Sequence, residues 1–167
     1  SLKKVRYLGG RWELLSNSFH FIDLFSYWFD TELLNIDTTE LNKHWHPSTT
    51  RHGFYDVKGI LKAQFSNNIE LTLDWSKDNN DSTWIFNYVD EEIRYHELTG
   101  EIFRNKILLK CIPLLNFSEM GHILEPILMG NKKREKILPQ LTEVHKTTSL
   151  LLDAFLNLFL GEYLKYI

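Results

Sequence analysis

Glycine is scarce in this chain and badly spaced for phosphate binding. The eight glycines stand at 9, 10, 53, 59, 100, 121, 130 and 161, and no two are separated by a single residue. Neither a G-x-G-x-x-G fingerprint nor a P-loop can be written from them, which excludes the usual routes to a dinucleotide or nucleotide. A single cysteine, Cys111, excludes an internal disulfide and a C-x-x-C pair. No G-x-S-x-G elbow and no H-E-x-x-H is present. Neither charge sign dominates: 19 Lys and Arg face 22 Asp and Glu, for a net charge of -3. That balance offers no footprint for nucleic acid or for an anionic membrane surface. The longest apolar stretch, Leu150 to Leu160, is broken by Asp153 and Asn157 and is shorter than the roughly 20 residues of a membrane span. There is no initiator methionine and no signal sequence, and the opening Ser1-Leu2 suits a piece of a longer protein. These absences lead to the expectation of one cytoplasmic globular domain over residues 1–167, without membrane or nucleic-acid partners.

Aromatic residues are plentiful, at 14% with 5 Trp, 7 Tyr and 11 Phe. From Trp12 to Phe29 apolar residues recur at steps of three and four, which predicts a helix. Phe21, Leu24, Tyr27 and Trp28 make its other side apolar too, so it is expected to pack between layers. From Leu33 to Ile112 the period falls to two. Strands are predicted over 53–65, 69–75, 83–89, 92–98 and 106–112, with Asn67-Asn68, Asp90-Glu91 and Thr99-Gly100 as turns. Ser118 to Met129 and a segment from Pro139 to the C-terminal end read as helices. This order predicts an α+β fold: an open, mainly antiparallel sheet built as a meander, with helices on one face.

Seven histidines invite a metal reading, and His44, His46 and His52 are the densest group. No cysteine or carboxylate nearby completes a tetrahedral set, so they are read as solvated loop residues and no metal is expected. Cys111, among Ile107, Leu108, Leu109 and Ile112, reads as a small core residue. Lys132-Lys133-Arg134 reads as a solvated turn. Ser16, His20 and Asp23 fall at helical steps of four and three, along one stripe. Two readings of that stripe stay open: a polar line facing a cleft, or a buried histidine satisfied by its own helix.

The segment Gly9-Gly10-x-x-x-Leu14-Leu15-Ser16-Asn17-Ser18-Phe19-His20-Phe21-Ile22-Asp23 resembles the G-G-x-x-x-L-x-D-x-x-x-H-x-I-D segment of the Gfo/Idh/MocA oxidoreductases. Two other stretches resemble the second domain of that family. They are Trp45-x-Pro47-Ser48-x-x-Arg51-x-Gly53-Phe54-Tyr55 with Gly59, and Leu138-Pro139 with Leu150 to Phe155.

The resemblance implies a C-terminal, glyceraldehyde-3-phosphate dehydrogenase-like domain that holds a sugar-like or polyol substrate and forms a homo-oligomer through its sheet. NAD or NADP would be bound by an upstream Rossmann domain absent from this chain, which alone is expected to be inactive and to bind no cofactor. His20 matches the substrate-side histidine of the family, a catalytic acid/base. Asp23 would orient it, and Ser16, Asn17, Trp12 and Arg51 would contact substrate, Arg51 suiting sugars that bear carboxylates or phosphates. Ser16 stands where many members carry Asp, so the usual acid/base pair is incomplete. Two alternatives accompany this expectation: an inactive binding or assembly module of the same fold, and an unrelated α+β domain with a closed apolar pocket.

Overall fold

The computed structural model describes residues 1–9, 13–48, 51–76, 82–111 and 141–163, and of 141–144 and 160–163 only the backbone. The predicted helix at 118–129, the turn at 132–134 and Trp12 lie outside the described residues. An eight-stranded sheet runs in the order β10-β9-β8-β7-β1-β6-β5-β2. Its strands are β1 (Leu2–Leu8), β2 (Leu33–Leu41), β5 (Gly59–Phe65), β6 (Glu70–Asp74), β7 (Thr83–Tyr88), β8 (Glu92–His96), β9 (Glu101–Arg104) and β10 (Ile107–Cys111). A two-residue ribbon pairs β3 (His46–Pro47) with β4 (Tyr55–Asp56). Two helices are described, α1 (Leu14–Phe29) and α2 (Leu141–Tyr163).

The α+β expectation holds, with two corrections to the strand reading. The meander is interrupted, because β1 inserts between β6 and β7, parallel to the first and antiparallel to the second. The long strand predicted over 53–65 is two strands. Gly59, at φ 127°, breaks it, and a Cβ there would lie 2.5 Å from the Glu40 carbonyl oxygen. The predicted Asn67-Asn68 turn closes the β5–β6 hairpin with Asn68 at φ 61°.

Strand alternation decides what each face carries. Val5, Tyr7, Leu61, Ala63, Phe65, Leu71, Leu73 and Trp84 turn to one side and are buried with Leu14, Ile22 and Phe25 of α1 and Leu151 and Phe155 of α2. Both helices therefore lie on the same face. The sheet aromatics lie there too: Tyr7 packs on Phe21, Trp75 and Trp84 at ring-centroid distances of 4.2, 5.4 and 4.7 Å. The opposite face carries ion pairs between neighbouring strands, Lys4–Glu70, Arg6–Asp74 and Lys62–Glu40.

Helix α1 is less enclosed than its sequence suggested. Leu14, Ser18, Ile22 and Phe25 are buried, whereas Leu24, Tyr27 and Trp28 are exposed. Trp28 meets the edge of Trp84 at 5.2 Å and keeps its remaining surface outward, so an all-apolar circumference does not here mean burial on every side. Cys111 also departs from expectation. It lies on the edge strand β10, where all five residues are exposed, and its thiol approaches the Thr99 carbonyl oxygen at 3.1 Å. Strand side chains are buried by what packs on the sheet faces, and the described helices pack over β2 and β6, at the other side of the sheet from β10.

Candidate substrate site at the first turn of α1

Strand β1 leads through Gly9 to the start of α1. Gly9 lies against Trp75 so closely that a Cβ would sit 2.1 Å from the indole, so only glycine fits this approach. Glu13 occupies the N-cap position of α1 but makes no cap with its side chain. Its carboxylate instead accepts from the Ser48 hydroxyl and, at 2.8 Å, from Nη2 of Arg51. The cap comes from across the fold. Oδ1 of Asp56, on β4, accepts the Leu15 N–H at 2.8 Å and the Val57 N–H at 2.6 Å. Asp56 is 7% exposed, and its Oδ2 is buried without a hydrogen-bond partner among the described residues. Burial pushes the Asp56 carboxyl above the usual range, the N–H bonds from Leu15 and Val57 oppose that rise, and the neighbouring Glu13 adds to it.

Arg51 also donates from Nη2 to the Ser16 hydroxyl at 2.6 Å, and its guanidinium carbon lies 5.5 Å from the centre of the Phe54 ring. Its own N–H bonds the Ser48 hydroxyl at 2.8 Å, which sets the turn that presents it. Asn17 faces back into its helix, donating to the Glu13 carbonyl at 2.8 Å and the Ser16 hydroxyl at 3.1 Å. Glu13, Ser16, Arg51 and Asn17 thus form one connected group. Sequence reasoning singled out three of these four and missed Glu13, Ser48 and Asp56. The signal for Glu13 was present, since it stands three residues before Ser16 on the stripe that carries His20 and Asp23.

His20 and Asp23 lie further along that stripe, with Asp23 about 10 Å from Ser16 along the axis. His20 is exposed, which discards the buried-histidine alternative, and its ring lies against Phe19 at 3.7 Å. Burial raises Asp23 above the usual carboxylate range, against a hydrogen bond from Thr147 of α2 and the nearness of His20. Asp23 therefore ties α1 to α2 while facing the histidine. Trp45 stands apart from this group, stacked on Phe159 of α2 at 4.3 Å. Among the described residues no three His, Cys, Asp or Glu side chains converge as metal ligands. No described helix is long and apolar enough to cross a membrane.

The fold defines a class: an open mixed sheet, mainly antiparallel, with helices on one face and a polar group at the start of the first helix. Solved structures with this fold include a Thermotoga maritima protein described as an oxidoreductase, at 14% identity and a TM-score of 0.58 over 96% of this chain and 54% of that one. The super-repressor mutant of Gal80p from Saccharomyces cerevisiae matches at 9% identity and a TM-score of 0.61, over 96% and 57%. A Clostridium difficile dehydrogenase, MviM, matches at 14% and 0.57, over 93% and 54%. The chain thus spans about half the length of each of these proteins. The resemblance to the second domain of the Gfo/Idh/MocA oxidoreductases is borne out in the fold. No protein-family model and no curated protein matches the chain.

Proposed function

We propose that this chain is the substrate-binding half of an NAD(P)-dependent oxidoreductase acting on a sugar-like or polyol substrate. The observation that carries this reading is the site itself. Ser16, His20 and Asp23 line one stripe of α1, Arg51 is brought from the β3–β4 ribbon onto its first turn, and the fold is one that oxidoreductases share.

In this reading the nicotinamide is held by a part of the protein outside this chain. Helix N-termini bind pyrophosphate through free amides, and at the first turn of α1 the Leu15 N–H is taken by the Asp56 carboxylate. What these residues supply is the proton side of the oxidation. Oxidising a carbinol requires the hydroxyl to lose its proton. In this reading the exposed imidazole of His20 takes it, and the Asp23 carboxylate stabilises the imidazolium that results. Ser16 and Asn17 offer hydroxyl and amide groups to neighbouring substrate hydroxyls. Self-association through the sheet belongs to this reading, as does a cytoplasmic setting.

Calorimetry with NAD(H) and NADP(H) tests the proposal, on this chain and on the product of its complete reading frame. Binding by the longer protein alone is expected. Binding by the isolated chain, or by neither, would contradict it. The same fold in the Gal80p super-repressor mutant supports a second reading, a catalytically inactive binding or assembly module. Such a module would tolerate loss of His20.

A further inference from the structure

Helix α2 meets the core through one stripe. Thr147, Leu151 and Phe155 fall at four-residue steps, and all three are buried, with 7, 4 and 5% of their surfaces exposed. A hydroxyl on a stripe that is otherwise apolar calls for a partner within the fold. Thr147 finds one in Asp23 of α1. An ionised carboxylate has no proton to give, so the threonine hydroxyl is the donor. Of the charged groups on the two helices, His20 favours the ionised form of Asp23. Lys146, next to Thr147, pairs instead with Glu32 at 3.1 Å, and His145 meets the Ser149 hydroxyl at 3.4 Å.

Burial works against the charge that an imidazolium at His20 would need beside it. Desolvation pushes Asp23 toward its protonated form, and the Thr147 hydroxyl is the larger of the two contacts that oppose this, ahead of His20 itself. We propose that Thr147 is a positioning residue for proton transfer at His20, its hydroxyl fixing the Asp23 carboxylate on the histidine's stripe of α1. Helix α2 thereby takes part in a site that lies on α1. The inference rests on the oxidoreductase reading and adds to it a residue that acts through Asp23 alone.

Carboxyl-carbon NMR on the 167-residue chain, followed with pH, reads Asp23 directly. Thr147→Val keeps the shape and removes the donor, so the Asp23 midpoint should move up. Thr147→Ala makes the same test with a smaller side chain, and Thr147→Ser keeps the donor and should leave the midpoint at its wild-type position. In the complete reading-frame product, Thr147→Val should lower polyol-dependent turnover on the order of tenfold, less than the loss of His20 itself, with KM unchanged. Thr147→Ser should restore that turnover. An Asp23 midpoint that moves in neither Thr147→Val nor Thr147→Ala would overturn the inference. Turnover kept in Thr147→Val and lost in Thr147→Ser would overturn it too, by assigning the residue to packing through its methyl group. Failure of the oxidoreductase reading registers elsewhere, in the absence of cofactor binding by the longer protein, wherever Asp23 titrates.

Discussion

Glu13 and Asp56 serve each other's elements. Glu13, at the N-cap of α1, reaches across to Ser48 and Arg51 of the ribbon, while Asp56 of the ribbon reaches back to cap α1 at Leu15. The two elements are 41 residues apart in sequence at this cap. The exchange locks the first turn of the helix, and with it Ser16, to the segment that presents Arg51.

Replacing Asp56 by Ala should therefore cost more than an ordinary cap. About 1–2 kcal/mol is expected from the cap itself, with further loss because the Val57 N–H also loses its acceptor. Asp56→Asn retains an acceptor oxygen and should lose less. Urea unfolding of the two variants checks the order, and equal losses would contradict it.

The raised pKa of Asp56 fixes the sign of a pH effect. A carboxyl whose folded pKa lies above its unfolded value keeps its contribution below the unfolded pKa and loses it as pH rises through the folded one. From pH 4 upward, wild type should lose stability relative to Asp56→Asn, as read by parallel urea titrations. Asp74 should show the opposite sign. Burial pushes it up, but bonds from Ser76 and Arg6 outweigh that and hold it low, so its contribution is lost as pH falls.

Glu97 accepts the Tyr7 hydroxyl at 2.9 Å and the Trp84 indole N–H at 2.8 Å, and both rings are buried. Glu97→Ala would strand the buried Trp84 indole N–H and leave the Tyr7 hydroxyl only Ser82 beside it, at a cost of about 1–3 kcal/mol. Glu97→Gln can accept from Trp84 while donating to Tyr7, so it should retain most of that stability. Denaturation followed by tryptophan fluorescence distinguishes the two variants.

Gly59→Ala should destabilise the fold by at least about 1–3 kcal/mol from backbone strain at φ 127°. The Cβ would also meet the backbone of Glu40 and Leu41. A melting temperature unchanged from wild type would contradict this account of the break between β4 and β5.

Local signals were legible in the sequence, and long-range partners were not. The three- and four-residue steps located α1, which runs Leu14–Phe29 against the expected Trp12 to Phe29, and strict alternation located β6 with Leu71 and Leu73 on the core face, although Thr72 and Asp74 on its other face are buried too. Alternation says which side chains share a face but not which strand lies alongside, so the insertion of β1 between β6 and β7 was not visible. Cys111 was misread for the same reason, since an apolar run looks alike in a central strand and at an edge. Helical spacing made legible that Ser16, His20 and Asp23 share one stripe of α1. Asp56 was missed because its role is to accept a backbone N–H from a distant segment, which leaves no periodic trace.

The most direct test of the central claim is the rate of polyol-dependent NAD(P) reduction by the complete reading-frame product, with and without His20→Ala. An acid/base role predicts a fall of about 10²–10⁴-fold in turnover with cofactor affinity unchanged. Undiminished turnover in the variant would contradict the assignment of His20, and the absence of any reduction by wild type would leave the fold in service of binding alone.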